Sequence, residues 1–230
     1  MHYFDKSNVK IIAGELAFYA DSDYEQTRQI YNFTLHPDFN IYNHQNDICV
    51  LALNEPFELN EHVQTLPFLG SIENIEEIVQ DCKIAGWGAL YEKAGRKYYP
   101  KSLFWANVTL DTKENCQTKI GDEFIADSMV CTKPGPGICT DDEGGPLVCN
   151  TLMYNNSTLV GIASWNSGNC HDITTAKTAK PSVFTKYSAH PEWIAKAIGE
   201  MEYWKVWNGS AGHNLSYLIL GLALISVQFF

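Results

Sequence analysis

Residues 138–149 read Ile-Cys-Thr-Asp-Asp-Glu-Gly-Gly-Pro-Leu-Val-Cys, and this segment decides how the rest of the chain is interpreted. Two glycines and a proline after a polar run predict a tight turn, because glycine has no Cβ atom and lets another backbone or a ligand approach closely. The cysteines at its two ends can anchor the turn covalently. Considered alone, the segment is also compatible with an ordinary acidic surface turn between two strands.

The composition narrows the classes of function. The chain has 230 residues, enough for one large or two small cores, and a formal net charge of −11. That charge argues against nucleic acid as a partner, since nucleic acid requires clustered Lys and Arg side chains. None of the seven cysteines lies in a Cys-x-x-Cys pair, which argues against zinc, and we expect no metal and no cofactor.

Glycosylation signals and cysteines favour an oxidising compartment, and so an extracellular or cell-surface location. The chain starts Met-His-Tyr-Phe-Asp-Lys, with no basic region before an apolar run, and so without a signal peptide. Either the protein is not secreted or the given chain lacks its true beginning, and we favour the second interpretation. The Asn-x-Ser/Thr acceptors are Asn32, Asn107, Asn155, Asn156, Asn208 and Asn214.

Short apolar segments separated by turn residues predict an all-β protein. Residues 9–13 form a short apolar run, and residues 31–35 alternate apolar with polar, as a half-buried strand does. Residues 47–53 are continuously apolar after one acid, which is typical of a strand buried on both sides. We interpret residues 116–131 as a short looped stretch closed by two cysteines. Apolar residues recur at helical spacing over 193–201, which predicts one terminal helix.

The segment 138–149 resembles the nucleophile loop of the trypsin/chymotrypsin-like serine proteases, which reads C-x-G-D-S-G-G-P-L-V-C. Glu143 stands at the position of that family's serine, and Asp141 at that of its first oxyanion-hole glycine. Asp142 and Gly144 match the family pattern. The resemblance covers residues 9 to 201, and further segments resemble the family in the same order: 36–40 with 46–51, 82–88, 159–165 and 180–186.

The resemblance implies a fold of two six-stranded antiparallel barrels with a C-terminal helix, the first barrel being incomplete in this chain. The expected divisions are a remnant of the N-terminal barrel over 1–65, a linker over 66–81, the C-terminal barrel over 82–187, the helix over 188–204, and a spacer with an apolar tail over 205–230.

The resemblance also implies a catalytic site that lacks two of its three side chains. Asp47 matches the acid that orients the family's histidine, although a strand-start residue bonding local amides is the alternative. The A-A-H-C motif that carries this histidine is not found, and we expect that the chain begins just after it. His36 and His44 precede Asp47 too closely to lie opposite it on another strand. We interpret four further histidines as solvated surface residues: His62, His171, His190 and His213.

The family's specificity pocket is altered as well. Gly137 lies at the base position, where trypsin-like members carry an acid, and Ser164 and Trp165 lie on the strand that lines the groove. Asn166 and Ser182 replace two wall glycines and are expected to narrow the slot. Recognition of Lys or Arg is therefore not expected.

Family spacing implies three disulfides: Cys82–Cys149, Cys116–Cys131 and Cys139–Cys170. Cys49 is left over, and we expect it to be a free, inert thiol.

The last residues, 215–230, are apolar and uncharged, and small residues precede them. This pattern is typical of a lipid-anchor signal, with a short membrane span as the rival interpretation and a buried extension of the terminal helix as a third.

The resulting hypothesis is a non-catalytic serine protease homologue that acts by binding proteins: an active protease, a zymogen, an inhibitor or a substrate held as a decoy. The alternatives are a hydrolase that uses Asp47 and Glu143 as a carboxylate pair, and a truncated product.

Overall fold

The fold is described by a computed structural model. It describes residues 9–17, 23–67, 70–72, 74–93, 95–121, 125–152, 157–166, 180–207 and 226–229, and for 93, 202–207 and 226–229 the backbone alone. The described strands are β1 Val9–Ala13, β2 Gln26–Leu35, β3 Cys49–Leu53, β4 Val79–Gly86, β5 Tyr91–Lys93, β6 Arg96–Tyr98, β7 Phe104–Val108, β8 Leu110–Asp111, β9 Met129–Thr132, β10 Pro146–Thr151, β11 Ser157–Asn166, β12 Ser182–Lys186 and β13 Ser226–Phe229. The described α-helices are α1 Lys113–Ile120 and α2 Pro191–Trp207.

The larger sheet holds most of the protein's core. Its strand order is β7-β4-β10-β11-β12-β9-β8, and every pairing is antiparallel. All five residues of β12 are buried, and the nearly closed sheet wraps around a core that includes Leu147, Val160 and Phe184, each 0% exposed. This sheet places the loop 138–145 directly before β10 and beside β11.

The smaller sheet forms the N-terminal core. Its order is β13-β1-β2-β3, with Val9, Ile11 and Leu53 packed on its inner face. The strands expected near 9–13, 31–35 and 47–53 are all observed, as β1, β2 and β3. The mostly β architecture is therefore confirmed and agrees with the chymotrypsin-type double barrel. β4 begins at Val79, inside the segment 66–81 that the sequence interpretation treats as the linker.

Two disulfides join the larger sheet to itself and to α1. Cys82–Cys149 links β4 to β10, and Cys116–Cys131 links α1 to β9, so both predicted pairs are confirmed. Cys49 is free, also as predicted. Cys139 is disulfide-bonded, and its predicted partner, Cys170, lies outside the described residues.

The interpretation of residues 116–131 as a loop is wrong in its first part, because α1 covers Lys113–Ile120. The Thr112 side chain accepts a hydrogen bond from the Asn115 N–H and caps the helix, while Cys116 and Ile120 are buried beneath it. The predicted terminal helix is observed as α2, with a proline as its first residue, a position where proline's missing N–H has no cost. Ile194, Ala197 and Met201 lie on its buried face.

The end of the tail forms a strand in the structure. β13 pairs antiparallel with β1, with Phe229 opposite Val9 and Val227 opposite Ile11. Residues 208–225, which include most of the tail, lie outside the described residues. Among the helices that the structure describes, none combines the length and apolar character needed to cross a bilayer.

Candidate functional site

The loop that ends at Gly145 is held in place by backbone hydrogen bonds to itself and to β11. The Asp142 N–H donates to the Cys139 carbonyl at 3.1 Å, and the Gly145 N–H to the Asp142 carbonyl at 2.9 Å. Ala163 of β11 joins the loop twice, accepting from the Gly144 N–H and donating to the Gly145 carbonyl, both at 2.8 Å. The loop is thus a tight turn fixed to the central sheet, as its Gly-Gly-Pro sequence predicts.

The backbone amide of Asp141 is occupied by a side chain from its own loop. Its N–H donates to Glu143 Oε2 at 2.8 Å, and both residues are exposed. Asp141 has a φ of 71°, in the left-handed region that favours glycine, which agrees with the glycine found there in the resembling family. The Glu143 carboxylate therefore covers the backbone donor at the position that the sequence assigns to the oxyanion site.

Tyr99 reaches this loop from 42 residues away in sequence, and its hydroxyl donates to Asp141 Oδ2 at 2.6 Å. That hydrogen bond is the main reason why the pKa of Tyr99 is raised to about 12, since ionisation would remove the donor and face two carboxylates. Sequence reasoning missed Tyr99, because no motif marks a tyrosine whose partner is so distant in the chain.

Asp142 turns away from solvent and binds two backbone amides. Its Oδ1 accepts from the Gly88 N–H at 2.8 Å and its Oδ2 from the Cys139 N–H at 3.0 Å. A Cβ atom at Gly86 would lie 2.0 Å from Asp142 Oδ1, and one at Gly88 2.5 Å away, so these glycines leave the space that the carboxylate fills. Burial raises the pKa of Asp142, while the two amides oppose that shift. Each oxygen of the Asp142 carboxylate thus has a backbone N–H donor among the described residues.

Asp47 precedes β3 by two residues, and its carboxylate accepts a hydrogen bond from a hydroxyl on β11. The Ser164 Oγ–H donates to Asp47 Oδ2 at 2.7 Å, and the Thr185 hydroxyl donates to the Asp47 carbonyl at 2.8 Å. Burial raises the pKa of Asp47, and the Ser164 hydrogen bond and an electrostatic interaction with His44 oppose that shift. Among the described residues, no imidazole hydrogen-bonds to this carboxylate.

Two of the histidines near Asp47 in sequence have other contacts. His44 stacks on the Trp165 ring, with centroids 5.9 Å apart, and so lies beside the strand that carries Ser164. His36 packs against His190 and Trp193 at the start of α2, with ring centroids 5.2 Å and 4.8 Å away. The interpretation of His190 as a solvated surface residue is wrong, because His190 is 5% exposed. His171 and His213 lie outside the described residues.

The positions assigned to the specificity pocket form a polar cluster. Ser182 Oγ accepts from the Ile138 N–H at 3.0 Å, and Asn166 Nδ2 donates to the Ile138 carbonyl at 2.7 Å. Ser182 is 0% exposed, and a Cβ atom at Gly137 would lie 2.3 Å from its hydroxyl oxygen. Side chains fill the space next to Gly137, which supports the prediction of a narrowed slot.

The remaining predicted residues are Cys49 and the glycan acceptors. Burial raises the pKa of Cys49 to about 11, so its thiol stays protonated at neutral pH. Asn32 is half-buried on β2, with its side-chain oxygen accepting the Phe33 N–H at 2.9 Å, whereas Asn107 is exposed on β7. The other predicted glycan acceptors lie outside the described residues: Asn155, Asn156, Asn208 and Asn214.

The two main sheets are antiparallel, and the glycine-rich loop lies against β11. Asp47 accepts a hydrogen bond from Ser164 on the same strand. This arrangement is that of a chymotrypsin-type domain. The family model described as Trypsin matches residues 1–194. The chain belongs to the trypsin family.

The sequence of this chain is similar to those of several other proteins. Kallikrein-8 of Rattus norvegicus is 29% identical over 86% of this chain and 71% of its own length. Trypsin-1 of Astacus astacus is 32% identical over 84% of this chain and 76% of its own length. Coagulation factor XII of Cavia porcellus is 31% identical over 82% of this chain and 32% of its own length.

Proposed function

We propose that this protein is a non-catalytic member of the trypsin family that acts by binding other proteins. The observation that carries the proposal is the hydrogen bond from the Asp141 N–H to the Glu143 carboxylate. A carboxylate is a poor nucleophile toward an amide, and here it also covers a backbone donor that an acyl-transfer mechanism needs for its oxyanion. The exposed Asp141 carboxylate adds a second negative charge where negative charge would develop.

The other parts of the site support the same proposal. The Asp47 carboxylate is bonded to Ser164 and, among the described residues, to no histidine that could act as a base. Ser182 and Asn166 fill the region where a substrate side chain would enter. A hydrolase based on Asp47 and Glu143 is less well supported, because each carboxylate already accepts a hydrogen bond from a protein donor.

The partners that we propose are proteins that recognise or are recognised by trypsin-family domains: an active protease, a zymogen, an inhibitor or a decoyed substrate. The two described disulfides support an oxidising compartment, and so an extracellular or cell-surface location.

The first experiment replaces Glu143 by serine. The Glu143→Ser variant is expected to show no labelling by a fluorophosphonate probe, since the described residues place no base beside the new hydroxyl and Asp141 still opposes the oxyanion. The substitution also removes the carboxylate that covers the Asp141 N–H, so the expected lack of labelling depends on the base that the described residues do not provide and on the charge of Asp141. An active trypsin, labelled in parallel, is the positive control. Clear labelling of the single variant would mean that a base exists at this site and would contradict the proposal.

The second experiment titrates the parent protein separately with a labelled protease, with the zymogen of that protease and with a protein inhibitor of the family. Saturable binding of at least one of them is expected, and Trp165→Ala should weaken it because Trp165 lies on the groove strand beside Ser164. Trp105→Ala is the matched control, since Trp105 is 61% exposed on β7 and lies outside the proposed groove. Failure to bind any of the three would refute a protease, a zymogen and an inhibitor as partners.

Membrane attachment through residues 215–230 is a further part of the proposal. A tail whose last residues lie on β1 cannot at the same time insert into a bilayer, so the two arrangements exclude each other. Secreted behind a supplied signal peptide, the full chain is expected in the membrane fraction and a chain without 215–230 in the medium. Phospholipase release would distinguish a lipid anchor from a span. If the full chain is already in the medium, the attachment is refuted.

A further inference from the structure

Residues 91–101, here called the basic hairpin, differ in charge from the rest of the chain. They comprise β5, residues 94 and 95, β6, and the three residues after β6. They hold four basic residues against one acidic residue, a formal charge of +3, whereas the other 219 residues hold 12 against 26, a formal charge of −14. A quarter of the protein's cations thus lies in one short ribbon of an acidic protein. Such a local field attracts anions even though the net charge repels them.

The ribbon is held in one conformation by its tyrosines. Tyr91 and Tyr98 are paired across the two strands, and their rings stack with centroids 4.6 Å apart and an interplanar angle of 16°. The Arg96 guanidinium lies over the Tyr98 ring, 5.8 Å from its centroid, within cation–π range. Arg96 is therefore presented on an ordered surface, so less conformational entropy is lost when an anion binds.

Three of the four cations of the hairpin are described, and they are open to solvent. Arg96, Lys97 and Lys101 are exposed, and none of them forms an ion pair with a carboxylate in the part of the chain that the structure describes. Glu92, which pairs with Lys97 in the ladder, makes no ion pair with it. Exposed Tyr98 and Tyr99 separate these charges, at 36% and 50% exposure. The surface thus alternates cations with flat apolar rings.

The base of the hairpin is joined to the candidate site. The Ala89 N–H donates to the Thr140 carbonyl at 2.9 Å, and the Tyr99 hydroxyl bonds to Asp141 Oδ2. The buried Pro100 follows, and Lys101 then leads toward β7. The cations therefore project from a ribbon whose base is fixed, beside the site and outside it.

We propose that the basic hairpin binds a sulfated polysaccharide. Sulfate groups are permanently charged and recur along such a polymer, which matches cations spread along a ribbon. The arginine fork can take a sulfate through two N–H groups, and lysine acts as a point charge. The Tyr98 ring already contacts Tyr91 and Arg96, whereas the Tyr99 ring, 50% exposed between Lys97 and Lys101, offers an apolar face to a sugar ring. An acidic protein segment is the competing class, but its carboxylates would leave this tyrosine face without a matching partner.

The test measures binding of a size-defined heparin oligosaccharide to the full chain by calorimetry at low and physiological salt. Affinity is expected to fall as salt rises, because the charges are exposed and screened. The triple variant Arg96→Gln, Lys97→Gln, Lys101→Gln is expected to bind at least about tenfold more weakly and with a smaller salt dependence. Its fold should be unchanged, which circular dichroism and thermal unfolding check, because all three side chains are exposed.

The matched control removes three exposed cations elsewhere, through Lys10→Gln, Lys133→Gln and Lys180→Gln, and so changes the net charge equally. It is expected to bind within about twofold of the parent. Equal loss in both triple variants would mean non-specific attraction and would overturn the proposal, as would no binding by the parent. Stronger binding of poly-glutamate than of the oligosaccharide would assign the hairpin to acidic proteins instead. Uncharged dextran should not bind. None of these outcomes depends on the activity of Glu143 variants.

Discussion

Replacing both Cys82 and Cys149 by alanine is expected to lower the free energy of unfolding by about 4 kcal/mol. The bond joins β4 to β10 and closes a loop with a sequence separation of 67, and the chain-entropy relation gives a value of roughly this size for such a loop. Both cysteines are also buried in the main core, at 2% and 1% exposure, so alanine leaves small cavities. Denaturant unfolding of the parent and the variant measures the difference.

Two controls rank the effect. Replacing Cys116 and Cys131 opens a loop with a sequence separation of 15, for which the same relation gives about 3 kcal/mol, so a smaller loss is expected. Cys49→Ala removes a free thiol and no cross-link, and should change stability by less than about 1 kcal/mol. If the Cys82 and Cys149 variant were no less stable than Cys49→Ala, this bond would not be a major constraint on the fold.

The strands were the most predictable part of the fold, for a physical reason. Residues 31–35 of β2 alternate apolar with polar, as the two-residue period of a strand with one buried face predicts, and β3 is continuously apolar, as a strand buried on both faces is. The apolar pattern of the sequence does not predict helix α1, because the helix is short and buries only Cys116 and Ile120. Its one local signal was the capping Thr112, with the helix starting at the next residue.

Contacts within the candidate site were harder to predict than its location. The backbone strain at Asp141 follows from the glycine that the resembling family has there, and its φ of 71° agrees. The hydrogen bond from the Asp141 N–H to the Glu143 carboxylate depends on the rotamer of the Glu143 side chain, which no sequence pattern specifies. Tyr99 and Asp141 meet only because the hairpin folds back against the loop. Sequence identified which residues lie here, and geometry was needed to identify which donors are already occupied.

The pair formed by His36 and His190 shows the same limit, because neither residue lies in a motif that marks a buried histidine. His190 directly precedes α2, with its backbone bonded to Tyr187 and Ile194. Its Nε2 is buried, with no hydrogen-bond partner among the described residues. Burial, with a smaller effect from His36, lowers the pKa of His190 to about 4, and burial also lowers the pKa of His36 despite the nearby Asp38. The native state therefore holds both rings neutral.

Stability is accordingly expected to fall as the pH is lowered from about 6.5 toward 4. The unfolded chain binds a proton at His190 near its ordinary pKa of 6.5, whereas the folded chain resists it until about 4. Each pH unit in this window costs about 1.4 kcal/mol, so the free energy of unfolding should drop by about 2 kcal/mol between pH 7.5 and 5.0. Denaturant unfolding at the two pH values measures the drop.

The contribution of His190 is measured by comparing the drop in the free energy of unfolding between the parent and two variants. The contributions of carboxylates and other titrating groups are common to all three proteins and cancel in this comparison. His190→Gln cannot gain a proton and should lose most of the pH dependence, whatever its stability at pH 7.5. His62→Gln is the matched control, since the His62 side chain is 35% exposed and stacks on Tyr24 at the surface, and its pH dependence should equal that of the parent. A drop of about 2 kcal/mol that persists in His190→Gln would assign the pH dependence to other groups and contradict the assignment of a neutral, buried His190.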